Sequence, residues 1–310
     1  INILGGTIFG NVLGGEGIDD IWITGGLIDD NVDGGDDDDE IDMVGGSVGG
    51  SEMGGAGKDE IGIFGGTISG YVEGFDGDDE IDIEGGTIAG SVLGGTGEDD
   101  IWMSAGTVGG SVDGGDDDDE IDVVGGSVAL DVAGGAGDDI IVIGDEDNGT
   151  GSASIGGNID GGDDDDILLM ISAQTVGGSV LGGAGDDIAF FGGAFAATPF
   201  FGTPGNFDAL VGDLVSLEGG ADTDLLVFEG IHGGLPATVT GWEYIALVDN
   251  TELNVHQNTS DMTFFDNLLL FIDETSTLIA AGQSPGVLNL PGDVMNYGVM
   301  TMIDGENNDR

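Results

Sequence analysis

Residues 94–112, GGTGEDDIWMSAGTVGGSV, hold two glycine turns, one rich in carboxylates (GGTGEDDI) and one nearly neutral (AGTVGGSV). The pair returns about every 20 residues, with acidic turns starting at Gly14, Gly34, Gly54, Gly74, Gly94, Gly114, Gly134, Gly161 and Gly182. Repetition of this kind marks a solenoid, in which each unit buries its apolar face against its neighbours.

Aligned at that period, four apolar columns stand out. One reads Ile21, Ile41, Ile61, Ile81, Ile101, Ile121, Ile141; another, two residues on, reads Ile23, Met43, Ile63, Ile83, Met103, Val123, Ile143. A third runs from Ile8 through Ile28 and Val48 to Val128, and a fourth from Val12 through Val32 to Val132, with a slip near Met53. Spacings of two and four are strand alternation, and the glycine pairs disfavour long helices. The expected fold is all-β: a parallel β-solenoid with one acidic turn per coil. Each coil is expected to hold two short strands and two turns. Nine coils would make a rod roughly 43 Å long.

Residues 1–191 read as the regular solenoid. The polar insert DEDNGTGSAS at 145–154 reads as a loop, and from Phe190 the composition becomes aromatic, with Pro199 and Pro204. Residues 192–310 read as an irregular extension of the solenoid or a small β domain, a separate β-sandwich being the alternative.

There are 62 acidic residues against two basic ones, Lys58 and Arg310, a formal charge of −60. That field opposes nucleic acid and anionic membranes and attracts cations. There is no cysteine, so no disulfide or thiolate metal site. The longest apolar runs, such as LLLFI at 268–272, are too short to span a bilayer. The sequence opens at Ile1 without methionine or a signal peptide, as a mature chain or a fragment would.

The acidic turns supply hard oxygens, as calcium requires. Their recurrent carboxylates are Asp19, Asp39, Asp59, Asp79, Asp99, Asp119, Asp139, Asp166 and Asp187. The glycines Gly15, Gly35, Gly55, Gly95, Gly115 and Gly135 permit left-handed backbone that turns carbonyls inward. Like charges about 4.8 Å apart repel by roughly 0.9 kcal/mol per neighbour in water and about 3.5 at an effective dielectric of 20. Several such columns oppose stacking, and a bound dication reverses the sign.

The turn GGxGxDxUx, with U a large aliphatic, resembles the calcium-binding nonapeptide of RTX proteins across nine turns, plus a weaker one at Gly219. Asp37, Asp117 and Asp164 replace the fourth-place glycine, and asparagine or aspartate tolerates that geometry. The resemblance implies several calcium ions, each shared between consecutive turns. Because the opposite turns (GGTI, GGSV, AGTV) are neutral, ions are expected along one edge only. That layout resembles the solenoids of large bacterial RTX adhesins, including an ice-binding one that uses Thr and Asx beside its calcium turns. Here those places hold Glu16, Asp36, Ala56, Asp76, Thr96, Asp116 and Ala136, so no such array is present. Residues 242–255 and 296–310 (NYGVMTMIDGENNDR) resemble the β-helix of autotransporter passengers.

Other residues carry less. His232 and His256 lack a matching ligand motif and read as surface or loop histidines. Trp22 and Trp102 should point outward, as a surface patch or a saccharide contact. Thr7, Ser47, Thr67, Thr87, Thr107 and Ser127 should form an outward hydroxyl ladder hydrogen-bonded from coil to coil. Asp145, Glu146 and Asp147 read as a solvated loop, with an extra ion site the alternative. An acidic-glycan lyase needs basic groups that are missing, and a repetitive acid set is unlike a unique catalytic constellation. The expectation is thus no enzyme but an extracellular, calcium-stabilised structural solenoid of a cell-surface adhesin, surface layer or filament. The alternative is an ice- or saccharide-binding module, and a hydrolase comes third. The uncapped first coil, in register with Ile21 and Ile23, suggests head-to-tail contact with other copies or a longer solenoid.

Overall fold

The computed structural model describes residues 1–144, 153–171, 174–192, 205–206, 215–234, 238–248, 251–256, 269–274, 276–282, 293–296 and 299–304. It is a right-through stack of parallel strands, a β-solenoid with coils of about 20 residues and no helix among the described residues. No described helix is long and apolar enough to cross a membrane. The Asp145–Asp147 cluster lies outside the described residues.

Each regular coil holds three strands, not two. One coil runs Asp20–Ile23, Leu27–Ile28 and Val32–Asp36; the next runs Glu40–Met43, Ser47–Val48 and Glu52–Ala56. The sequence reading merged two of them because the third strand contains the glycine pair that opens the acidic turn. Those glycines remain extended enough to pair across coils, as Gly15↔Gly35 and Gly35↔Gly55 do. Stacking gives a first sheet of 14 strands, a second of nine and a third of 11. The second ends at Thr175–Val176, and a fourth, five-stranded sheet starts at Gly205–Asn206. Every described pairing beyond Phe191 is parallel, so the later strands continue the stack rather than form an antiparallel sandwich.

Register is like on like. Ile21 pairs with Ile41, Ile61 with Ile81, and Ile81 with Ile101. Alternation turns all four apolar columns inward, and Ile21, Ile41, Ile61, Ile81, Ile101, Ile121 and Ile141 are wholly buried. Farther on, larger rings fill the core, with Phe191 and Phe228 stacked at 5.5 Å. His232 and His256 lie on neighbouring strands of the fourth sheet.

The expected hydroxyl ladder has exposed threonines and half-buried serines, Ser47 and Ser127, but its hydroxyls make no hydrogen bond among the described residues. Thr67, Thr87 and Thr107 face solvent. The polar ladder instead runs four residues farther on, at the corner before the third sheet. Asn31 N–H donates to Asn11 Oδ1 (3.1 Å), Ser51 N–H to Asn31 Oδ1 (2.9 Å), and Tyr71 N–H to Ser51 Oγ (3.1 Å). Asp131 and Asn158 carry it onward, accepting from Asn158 and Ser179. Short side chains at a corner satisfy backbone donors that no sheet serves.

Glu52 is the exception in the core. It stands in the valine column between Val32 and Val72, fully buried, and neither carboxyl oxygen has a partner. Burial alone pushes its pKa up to about 8 from 4.5. The folded state therefore holds this proton more tightly than the unfolded chain does. Its stability contribution is intact below about pH 4.5 and is lost as pH rises towards 8. At pH 7 that amounts to roughly 3 kcal/mol. Glu52→Val should accordingly raise the melting temperature at pH 8 and much less at pH 5. Thermal melts at the two pH values check this, and an equal shift at both would refute the titration account.

Candidate metal-binding edge

The acidic turn is built where the third sheet hands the chain to the first. In the second coil, Val32–Asp36 runs out through Gly35 (φ 122°) and Asp37 (φ 78°) to Asp39, and Glu40–Met43 begins at once. Gly15, Gly55, Gly95, Gly115 and Gly135 take the same positive φ as Gly35. Asp117 and Asp164 sit in the left-handed region as Asp37 does, so the turn forms without the fourth-place glycine. Phe75 occupies the second-glycine place at φ 85°.

The sixth-place aspartates form one unbroken column. Asp39, Asp59, Asp79, Asp99, Asp119, Asp139, Asp166 and Asp187 are all buried, while Asp19, in the first coil, is half-buried. Each Oδ1 from Asp39 on accepts the backbone N–H of the preceding member: Asp19 N–H to Asp39 (2.7 Å), Asp59 to Asp79 (2.7 Å), Asp99 to Asp119 (2.8 Å), Asp166 to Asp187 (3.0 Å). Each corresponding Oδ2 is buried without a partner. A carboxylate half satisfied and withdrawn from water is costly, and its repetition at every coil calls for a cationic partner.

The first glycine of each turn shapes the space around that oxygen. A Cβ added at Gly34 would fall 2.5 Å from Asp39 Oδ2 and 2.6 Å from the Gly54 carbonyl oxygen of the next coil. The same pairing of an aspartate Oδ2 with the next coil's carbonyl recurs at Gly74, Gly94, Gly114, Gly134, Gly161 and Gly182. Only glycine leaves room for a carboxylate and a carbonyl to converge there. No three acidic or histidine side chains converge on one point among the described residues, so an ion here would draw on backbone carbonyls as well. Two oxygen types from adjacent coils, on a regular axial repeat, suit a hard cation such as calcium.

Three features were not singled out in the sequence. Asp224 extends the column: Asp187 N–H donates to its Oδ1 at 3.0 Å, and its Oδ2 is buried and unpartnered. The weak turn GGADTD at 219–224 was its signal. Glu243 then takes over, accepting from Asp224 N–H at 3.0 Å. Finally, a second carboxylate ladder runs on the solvent side with opposite polarity. There Asp38 Oδ1 accepts from Lys58 N–H, Asp118 from Asp138, and Asp138 from Asp165.

Trp22 and Trp102 stand apart from this edge. Trp22 is exposed and Trp102 half-buried on the outer face of the first sheet, one strand position from the core column. Glu16, Asp36 and Asp76 are exposed beside the turns.

No family model matches the chain, and no curated protein matches it. A solved structure does: a hyperactive, Ca²⁺-dependent, β-helical antifreeze protein from an Antarctic bacterium, determined by X-ray crystallography. It is 18% identical, with a TM-score of 0.50, over 99% of this chain and 96% of that one. At that identity the likeness is one of fold.

Burial is the main cause that raises the column's pKa values; the backbone N–H donors lower them, and neighbouring carboxylates add to the rise. Asp59, Asp79, Asp99, Asp139 and Asp187 are pushed to about 6, Asp224 to about 7, and Asp119 and Asp166 to about 8. Without a cation the folded chain thus binds more protons than the unfolded one, and stability falls as pH rises from about 4 through 8. In excess chelator the chain should melt at higher temperature at pH 5 than at pH 8. A melting temperature that climbs with pH under chelation would contradict this.

Proposed function

We propose that the chain is an extracellular structural solenoid, stiffened by a row of calcium ions along one edge, that serves as a rod in a cell-surface adhesin, surface layer or filament. The observation that carries this reading is the column of buried, unpartnered Oδ2 atoms from Asp39 to Asp224. One per coil, all but that of Asp59 have a carbonyl of the next coil beside the same turn glycine, and each pair of coils would share an ion. Asp39, Asp59, Asp79, Asp99, Asp119, Asp139, Asp166, Asp187 and Asp224 would hold the ions, with the first-glycine carbonyls of the following coils. Calcium would supply the positive charge that lets like carboxylates stack. A rod with such ions depends on a calcium-rich medium, which supports an extracellular setting.

The test is binding coupled to stability. Extracellular calcium modules bind at about 10⁻⁴–10⁻³ M. At a free calcium ten to a hundred times the dissociation constant, each site adds about 1.4–2.7 kcal/mol to the folded state. Titration calorimetry should find several sites, and melts should rise steeply with calcium and little with magnesium. Asp99→Asn should remove at least one ion and lower the calcium-loaded melting temperature. Calcium binding unchanged in Asp99→Asn, or melts indifferent to calcium, would sink the reading.

A second reading rests on a different face. The second sheet presents Thr67, Thr87 and Thr107 outward as a row of exposed hydroxyls without hydrogen-bond partners, about 4.8 Å apart. Beside them Ser69, Ala89 and Gly109 keep the surface low. A flat, regular hydroxyl row of this kind suits an ordered ligand lattice, either ice or a crystalline saccharide, and the antifreeze activity of the fold neighbour is in keeping with it. The calcium-loaded chain should then inhibit ice recrystallisation or bind insoluble glycan, and Thr87→Lys should abolish either effect. Absence of both activities in the parent chain would remove this reading.

A further inference from the structure

The row of buried aspartate oxygens is not uniform: it changes at the gap between the third and fourth coils. At Gly34, and at each turn from Gly74 to Gly182, an added Cβ would lie 2.3–2.7 Å from the next coil's glycine carbonyl. At Gly54 the three nearest atoms all belong to Asp59, and the Gly74 carbonyl stands no nearer than 2.9 Å. The backbone beside that carbonyl differs as well. Phe75 takes φ 85° where the glycine at its place in the other turns takes 113–135°, so the Gly74–Phe75 peptide is turned differently. Asp59 itself is buried like its neighbours, and its Oδ2 has no partner.

A fixed cation stands at the same gap. Lys58, one of two Lys or Arg residues in the chain, occupies the fifth place of the third turn, where Asp38, Asp78, Asp118 and Asp138 stand in other turns. It is exposed, and its four-carbon stem is longer than the coil step of about 4.8 Å. Its positive charge acts on Asp79, Asp99 and Asp100, one and two coils on. The ammonium therefore leans towards the later coils, across the solvent side of the gap. We propose that the row of calcium ions is interrupted between the third and fourth coils, and that the Lys58 ammonium stands in for the missing ion.

This inference rests on the calcium reading of the edge and departs from it at one gap. A monocation held about 7 Å from a dication weakens its binding roughly tenfold even at the dielectric constant of water. The gap also lacks the close carbonyl that the other gaps set beside the aspartate oxygen. Calcium needs a full shell of oxygens, so a missing oxygen and an added repulsion act in the same direction. Tethered to the chain, the ammonium supplies positive charge beside the aspartate column at any calcium concentration. The joint between the third and fourth coils then keeps its counter-charge when calcium falls, whereas the other gaps lose theirs.

Equilibrium dialysis of the full chain, with bound calcium counted by mass spectrometry, tests this. Asp59→Asn should keep the parent's ion count, and Asp99→Asn should lose at least one ion. Lys58→Asp should gain one ion, and in excess chelator it should melt below the parent, because the column has lost its fixed cation. Lys58 is exposed and aspartate already stands at its place in other turns, so this variant decides even if Asp59→Asn fails to fold. Loss of an ion in Asp59→Asn, or no gain in Lys58→Asp, overturns the interruption and leaves the calcium reading intact. A parent that binds no calcium, or an Asp99→Asn variant that keeps the full count, removes that reading and this inference with it.

Discussion

A carboxylate buried against its own copy in the next coil, with one oxygen bonded and the other left over, is the constraint to which the solenoid answers. The bonded oxygen fixes register: Asp39 Oδ1 holds the N–H of Asp19, and Asp59 Oδ1 that of Asp39. A slip of one residue would expose the isoleucine columns and break every rung at once. The leftover oxygen fixes composition. It presses on the first glycine of its own turn, where a methyl group would collide with both it and the neighbouring carbonyl. Glycine is there to admit oxygen atoms, and the second glycine of the pair is there to turn the chain.

The ladders around this column divide the work of satisfying the backbone. The buried aspartates accept from the coil before, whereas the solvent-side aspartates accept from the coil after. The corner ladder through Asn31 and Ser51 also accepts from the coil after. Turn segments that no sheet serves are thereby tied in both axial directions. The third coil departs from the pattern in more than one place. Glu52 stands in the valine column, and Lys58 stands in the solvent-side acid column above Asp38, where its charge offsets a small part of the burial-driven rise in the pKa of Asp79 and Asp99. A built-in cation therefore sits in the same coil as a buried acid, yet Lys58 does not reach Glu52, whose pKa is set by burial alone.

What could be read in advance follows from this physics. The core columns were legible because burial repeats the same residue type at a fixed step, and Ile21 to Ile141 lie where alternation puts them. The aspartate column was legible for the same reason. The third strand was not, because Val32–Asp36 contains a glycine pair that reads as a turn while its backbone still pairs from coil to coil. The polar corner ladder was hidden by chemical degeneracy, since asparagine, serine and aspartate all accept one N–H and so share no single letter. Asp224 was obscured by spacing: the step between rungs is 20 residues at Asp99 and 37 at Asp187. A solenoid tolerates that because its register is set at the columns, and loop length between them costs little.

The same separation between column and loop applies across the two faces of a strand. Inward positions are held to one shape by the coil above and the coil below. Outward positions answer only to solvent and partners, so they can change without disturbing the stack. Glu120 pairs with Ile140 while Ile121 pairs with Ile141: the outer neighbour switches from charge to hydrocarbon and the inner one does not change at all. The exposed threonines of the second sheet and the tryptophans of the first lie on such outward columns. In this chain the buried aspartate edge and the outward faces of the sheets are therefore different surfaces. A substitution on one face need not alter the aspartate edge, because the two are joined through core columns that do not change.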